Sequence, residues 1–340
     1  MLARRITSNL VASLVLGGLC LWLASRKVEG SELLGAFSGF NFWYLIPAVL
    51  ISLAIQVFRA WRWQIELSPL ERLPFFLVWK VVAVAYMMIN ILPFRLGEPV
   101  RPLLLSWKTA LTVPAILGNW VFEKMMDSAV LVLVIHLTLL TTDLPDWANR
   151  ASTGSLAAFF VLLGLVVGFW LKGEAFFDAT AGRVLSARAR AWSLRVLSSA
   201  RDGLQILPDP RLVAVVFLVS VLLWSLPIIS SYILILAFDL DVPVAAAFVV
   251  FVAIGIGTAL PNPPGMVGVF QVAAVVALGL FGIDRAQALA YGIVLNAIQF
   301  TTLVLQGVVA LPLVGVGLGR LTRAAVDQNP QDGPSHQAEM

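Results

Sequence analysis

The chain has 340 residues, 60% of them hydrophobic and 12% charged, with a formal net charge of +4 and a mean hydropathy of +0.92. This is too apolar for a soluble globular domain and places the chain in a bilayer. A single cysteine, Cys20, excludes an internal disulfide, and with His136 and His336 as the only histidines no zinc-type cluster can form, so no metal, other cofactor or nucleic acid is expected.

Arg4 and Arg5 precede an apolar run over 7–24 that lacks a small-residue cleavage site before Arg26 and Lys27, which reads as a retained first helix. Further spans are predicted at 43–61, 74–92, 114–141, 154–171, 211–237, 243–260 and 286–318, with shorter apolar segments at 102–113 and 265–282. The expected fold is all-α: a polytopic helical membrane protein of about eight spans. Arg59, Arg62 and Arg72 are read as a basic loop after the second span.

The stretch from Asn90 to Asp127 departs from this apolar background, with NILPFRLGEPVRP and then EKMMD. Arg95, Glu98, Arg101, Glu123, Lys124 and Asp127 are costly in a membrane, at about 2.5–3.5 kcal/mol each on insertion scales, so they require partners or water. Pro93 is expected to end the entering helix, Pro102 to open the next and Pro114 to close it. A helix over 102–113 would be roughly 18 Å long, too short to span. Its amino end, flanked by Arg95 and Arg101, suits a phosphate or other anionic head group; the alternative is a kinked loop with surface arginines. Glu123 and Asp127 share a helix face at i and i+4, and Lys124, Arg95 or Arg101 is expected to neutralise them. They form either a structural ion network or the wall of a polar, proton-relaying cavity.

Residues 172–210 spread arginines among Ala, Leu, Trp and Ser, a basic amphipathic segment expected on the cytoplasmic side with both termini. The acidic loops at 142–152 and 238–242 suit the outer side. These assignments require 74–113 and 243–282 each to return to its own side, giving two re-entrant, broken-helix hairpins arranged as an inverted repeat. LPFRLG at 92–97 and LPNPPG at 260–265 share L-P-x-x-x-G at the two expected tips. The division is thus one membrane domain over 1–325, with repeat units at 74–153 and 243–318, and a disordered tail at 326–340. In the second repeat Asn296 and Gln299, at i and i+3, are the mid-span polar residues, available for inter-helix bonds or for a ligand.

Asp239 and Asp241 form a D-x-D, but it lies in a short loop with no surrounding βαβ unit, so it carries no nucleotide-sugar reading. No phosphate-binding P-loop, nucleophile elbow or HExxH occurs, so neither ATP-driven nor hydrolytic chemistry has support.

LPFRLGEPVRPLLL, EKMMD and LPNPPGMVGVFQ together resemble the membrane region of the lysylphosphatidylglycerol synthase/flippase family. Its pattern is similar to LP-x-x-x-GE-x-x-R, then E-[RK]-x-x-D, then P-x-x-x-G-x-x-G-x-F-E. Arg95, Gly97, Glu98, Arg101, Glu123 and Asp127 fall on the first half of that pattern, and Pro261, Gly265, Gly268 and Phe270 on the second. Gln271 departs from it, standing where the family often has Glu. The resemblance covers most of the chain and implies a lipid-translocating protein of the inner membrane, some relatives of which carry a fused cytosolic transferase domain.

The expected function is therefore movement of an anionic or zwitterionic lipid, or of a lipid-linked sugar, between leaflets. The head group would sit by Arg95 and Arg101, and one repeat would rock against the other. The expected partners are the bilayer, the lipid substrate and a separate cytosolic synthase. An intramembrane transferase with Glu98 or Asp127 as general base is the alternative, and a scaffold for a lipid-modifying synthase is another.

Overall fold

The structure, a computed structural model, describes residues 2–92, 96–141, 146–179, 186–259, 263–317, 319 and 321. Arg95, Pro261, Asp143 and the tail expected at 326–340 lie outside the described residues. An apolar chain in lipid must satisfy its backbone internally, and the described residues form helices without a strand among them. In order these are α1 (Leu2–Ser25), α2 (Gly30–Gly35), α3 (Leu45–Leu67), α4 (Phe75–Ile91), α5 (Val100–Ser106), α6 (Val113–Thr141), α7 (Asp146–Ala179), α8 (Ala187–Asp202), α9 (Pro210–Ala237), α10 (Ala245–Ala259), α11 (Val269–Gly279) and α12 (Arg285–Val314).

Four segments are long and apolar enough to cross a membrane by length and composition: Phe42–Leu67, Ser152–Gly173, Pro210–Ala237 and Arg285–Val314. Helix α6 is as long, at 29 residues, but carries Glu123, Lys124 and Asp127 within two turns. Leu14, Leu165, Leu218 and Val309 are exposed, as expected where lipid rather than water is the surrounding solvent. The chain is a multi-pass helical membrane protein. Helices α4, α10 and α11, of 17, 15 and 11 residues, are shorter than the 20 or so that a full crossing needs.

Several boundaries differ from the sequence expectation. Helix α7 covers Asp146–Ala179 rather than 154–171, so residues 146–152 of the expected acidic loop are helical. Helix α3 runs on to Leu67 rather than ending at 61, so Arg59 and Arg62 are helical and not in a loop. Trp63 and Leu67 extend the buried stripe, and Arg62 with Glu66 supplies an i,i+4 ion pair along it. Helix α5 covers Val100–Ser106 instead of 102–113, and Pro102 is its third residue rather than its first. Thr109 bonds back to the Leu105 carbonyl at 2.9 Å and accepts from the Leu111 amide, a local turn that competes with continued helix.

The chain packs as two compact units. One comprises Met1–Arg59, Trp79–Arg101 and Leu223–Asp332. Here α11 packs on both α10 and α12, and α1 packs on α11. Small residues allow the close approach: a Cβ on Gly17 would lie 3.0 Å from Pro263 Cβ, and one on Gly268 would lie 2.6 Å from Cys20 Cβ. Arg285 fastens the same helix by donating to the carbonyls of Leu23 and Ala24. Tyr291 is buried and donates its hydroxyl to the Ser231 carbonyl at 2.9 Å.

The other unit comprises Ala60–Val78 and Pro102–Leu222. Phe122, Met125, Val166, Leu204, Ile206 and Val216 form its core. Helix α8 lies within the 172–210 stretch, whose first residues up to Ala179 belong to α7, and it is capped by Ser186, whose hydroxyl accepts from the Ala189 amide. It lies close on α6 because Gly118 and Gly203 leave out side chains that would strike the Ala200 and Ala115 carbonyls.

Candidate functional site

Within the second unit, the buried arginine Arg62 is surrounded by acids. Its Nη1 donates to Asp127 Oδ1 at 2.6 Å and to Ser220 Oγ at 3.2 Å, while Nη2 donates to Glu123 Oε1 at 2.9 Å. Glu66, one turn further along α3, places Oε1 3.4 Å from Arg62 Nε. Side-chain exposure is 3% for Arg62 and 2% for Glu123, so solvent screens this attraction little. Lys124 is exposed and reaches Asp127 Oδ2 at 3.5 Å, with its ammonium 5.7 Å from the Trp120 ring centre.

Asn119 sets the register of these helices. It accepts from Trp63 Nε1 at 3.0 Å and donates to the Glu66 carbonyl at 3.2 Å, so one amide ties the end of α3 to α6 one turn before Glu123. Glu123 and Asp127 thus share a face as the sequence predicted, and Arg62, which was expected in a loop, pairs with both of them, while Lys124 reaches Asp127 as well. Arg62 was overlooked because the second span was closed at 61. Its signal was the Arg62–Glu66 pair at i,i+4 inside a continuing apolar stripe.

In the first unit the chain turns sharply after α4. Gly97 lies against the Met88–Ile89 backbone, where a Cβ would collide, and the Val100 amide donates to the Gly97 carbonyl at 3.1 Å. This is the close backbone approach that glycine permits. Arg101 is 7% exposed and Glu98 half-buried. The short helix that follows measures roughly 10 Å, against the roughly 18 Å expected from sequence.

The second predicted motif gathers at one loop. Gly265 and Gly268 have φ of +67° and +90°, and Asn296 from α12 donates to the Gly265 carbonyl at 2.9 Å. Gln271 Oε1 accepts from the Gly268 amide at 2.7 Å, closing the amino end of α11. Gln271 therefore has a fastening role, for which a Glu oxygen would serve as well. Gln299 is half-buried, and its own carbonyl accepts from Thr302 Oγ1 at 3.1 Å. The predicted residues fall into three groups: Gly97, Glu98 and Arg101; Glu123, Lys124 and Asp127; and Gly265, Gly268, Gln271 and Asn296.

The family model described as "Lysylphosphatidylglycerol synthase TM region" matches residues 10–307. A UPF0104 membrane protein from Methanothermobacter thermautotrophicus is 23% identical over 299 residues, covering 80% of this chain and 86% of that relative. The match spans α1 to most of α12 and includes the turn at Gly97, the acids of α6 and the loop at Gly265. The chain belongs to the lysylphosphatidylglycerol synthase transmembrane-region family.

Proposed function

We propose that the protein is a lipid transporter that moves a phospholipid, or a lipid-linked sugar, between the leaflets of the inner membrane and leaves it chemically unchanged. The observation that carries this reading is the set of charged groups on otherwise apolar helices, above all Arg62 with Glu123 and Asp127. A helix that only anchored the chain would exclude such groups, because each is costly in hydrocarbon. Short helices interrupted at glycine and proline turns, as in α4–α5 and α10–α11, add to it, because non-helical backbone at membrane depth belongs where protein or a polar cavity covers it. In this reading α4–α5 and α10–α11 are re-entrant, both termini are cytoplasmic, and a separate cytosolic synthase supplies the substrate.

The test is reconstitution of the purified chain into vesicles carrying fluorescent phospholipids in both leaflets, followed by chemical quenching from outside. Faster loss of the protected inner-leaflet signal, with the lipid recovered unaltered by mass spectrometry, supports transport. Protein-free kinetics across a panel of phospholipids and lipid-linked sugars would refute it, as would recovery of a covalently modified lipid.

A further inference from the structure

Arg59 and Arg62 stand one turn apart on α3 and are treated oppositely. Arg62 has three carboxylates within 3.4 Å. Arg59 is half-buried on the same membrane-spanning segment and has no carboxylate partner among the described residues. Its guanidinium instead lies 4.2 Å from the centre of the Tyr86 ring, and its Nη1 donates to Gln56 Oε1 at 3.0 Å. An aromatic face holds a cation in place without neutralising it.

Gln56 supplies the second observation. The residue is 0% exposed, and while its oxygen is engaged by Arg59, its amide nitrogen is buried without an acceptor. Buried amide donors are paired in the great majority of cases, and one beside a cation with no counter-ion lacks the same thing the cation lacks, a negatively charged oxygen. The Tyr86 hydroxyl likewise has no protein partner among the described residues. All three groups belong to the first compact unit, and Asn90, one turn beyond Tyr86, donates to the Tyr86 carbonyl at 2.8 Å.

We propose that Gln56, Arg59 and Tyr86 form an oxyanion site whose ligand is a phosphate group, the guanidinium supplying charge and the glutamine amide a directed donor. A phosphodiester matches this donor set because its oxygens can accept from the guanidinium and the amide at once. The inference deepens the transport reading and rests on it for the expectation that the phosphate arrives on a lipid. The site would then select phosphate-bearing head groups over uncharged ones.

The test measures binding to the full chain in neutral detergent micelles, with three probes: a short-chain phosphatidylglycerol, the diacylglycerol with the same chains, and inorganic phosphate. Wild type is expected to hold the phospholipid about tenfold or more above the diacylglycerol, the range for one charge-assisted hydrogen-bonded contact. R59Q should abolish that preference, R59K should keep part of it, and Q56L should reduce it by about threefold to tenfold. Inorganic phosphate bound as tightly as the phospholipid, with the same dependence on Arg59, supports an oxyanion site filled from solution. A preference unchanged in both R59Q and Q56L overturns the site; should R59Q not fold, Q56L and R59K decide it alone. Binding in micelles needs no translocation, so Arg59-dependent binding by a chain inert in vesicles sinks the transport reading and leaves the site. Translocation with Arg59-independent binding does the reverse.

Discussion

Replacing Arg62 by Met removes one guanidinium from the contact of three carboxylates and leaves a side chain of similar length. The partners are Asp127 at 2.6 Å, Glu123 at 2.9 Å and Glu66 at 3.4 Å, with Ser220 at 3.2 Å. Removing one member of a buried ion pair typically costs about 3–5 kcal/mol, because the remaining charge stays desolvated without compensation. Arg62 and Glu123 are 3% and 2% exposed, so solvent compensates little for the lost guanidinium, whereas Asp127, at 14% exposure and within reach of Lys124, keeps part of its compensation. The expected loss is therefore about 3–5 kcal/mol, a large fraction of the 5–15 kcal/mol by which a typical domain is stable. The assay is unfolding in mixed micelles with increasing denaturing detergent, followed by tryptophan fluorescence. Neutralising the two acids bonded to its terminal nitrogens as well, in Arg62→Met/Glu123→Gln/Asp127→Asn, should recover at least half of the loss, since of the three carboxylates only Glu66 then stays charged. An Arg62→Met chain within about 0.5 kcal/mol of wild type, or a combined variant no better than the single one, would refute the reasoning.

Further outcomes follow from other contacts. Arg101→Ala is expected to abolish lipid movement in vesicles while the chain remains monodisperse, and Arg101→Lys to restore it only in part; unchanged movement removes Arg101 from the site. Gly118→Ala should destabilise by about 1–3 kcal/mol because the new methyl meets the Ala200 carbonyl across two backbones, whereas Gly164→Ala, with open space around it, should stay within about 0.5 kcal/mol in the same unfolding assay. Asn296→Ala should cost about 1–2 kcal/mol by leaving the buried Gly265 carbonyl without its donor, and an unaltered midpoint would show that water replaces the amide. In a Cys20→Ser background, cysteines at positions 146 and 241 should react with an impermeant thiol reagent from outside intact cells and one at position 190 should not; labelling at 190 overturns the proposed orientation.

The positions of the helices were legible wherever apolar residues ran unbroken. The windows at 211–237 and 286–318 agree with α9 and α12 to within four residues at each end, because the apolar run carries each helix through its internal proline, Pro227 or Pro312. Reading faltered where charge entered a helix. Arg59 and Arg62 suggested a loop, yet Trp63 and Leu67 kept the buried stripe going and the acids of α6 offset the charge from 61 and 65 residues away. No local pattern reports a partner that distant. Glu123 and Asp127 were identifiable by spacing alone, and the Gly265 turn by glycine among prolines. Gln56 was invisible for the opposite reason. A lone glutamine in an apolar span has no signature until the cation beside it is located.

The attachment of α1 has a consequence for how the chain is made. The groups that hold its end, Pro263, Gly268 and Arg285, all come late, and the Arg285 bond to the Ala24 carbonyl joins residues 261 positions apart. At roughly 5–20 residues per second, ribosomes need roughly 13–52 seconds to bridge that interval. Throughout that time α1 is without its docking surface. Its position is therefore fixed only after residues made much later have joined it. Interruption of translation before residue 285 would leave α1 inserted but unattached, a form that quality-control proteases could distinguish from the finished protein by the mobility of a single helix.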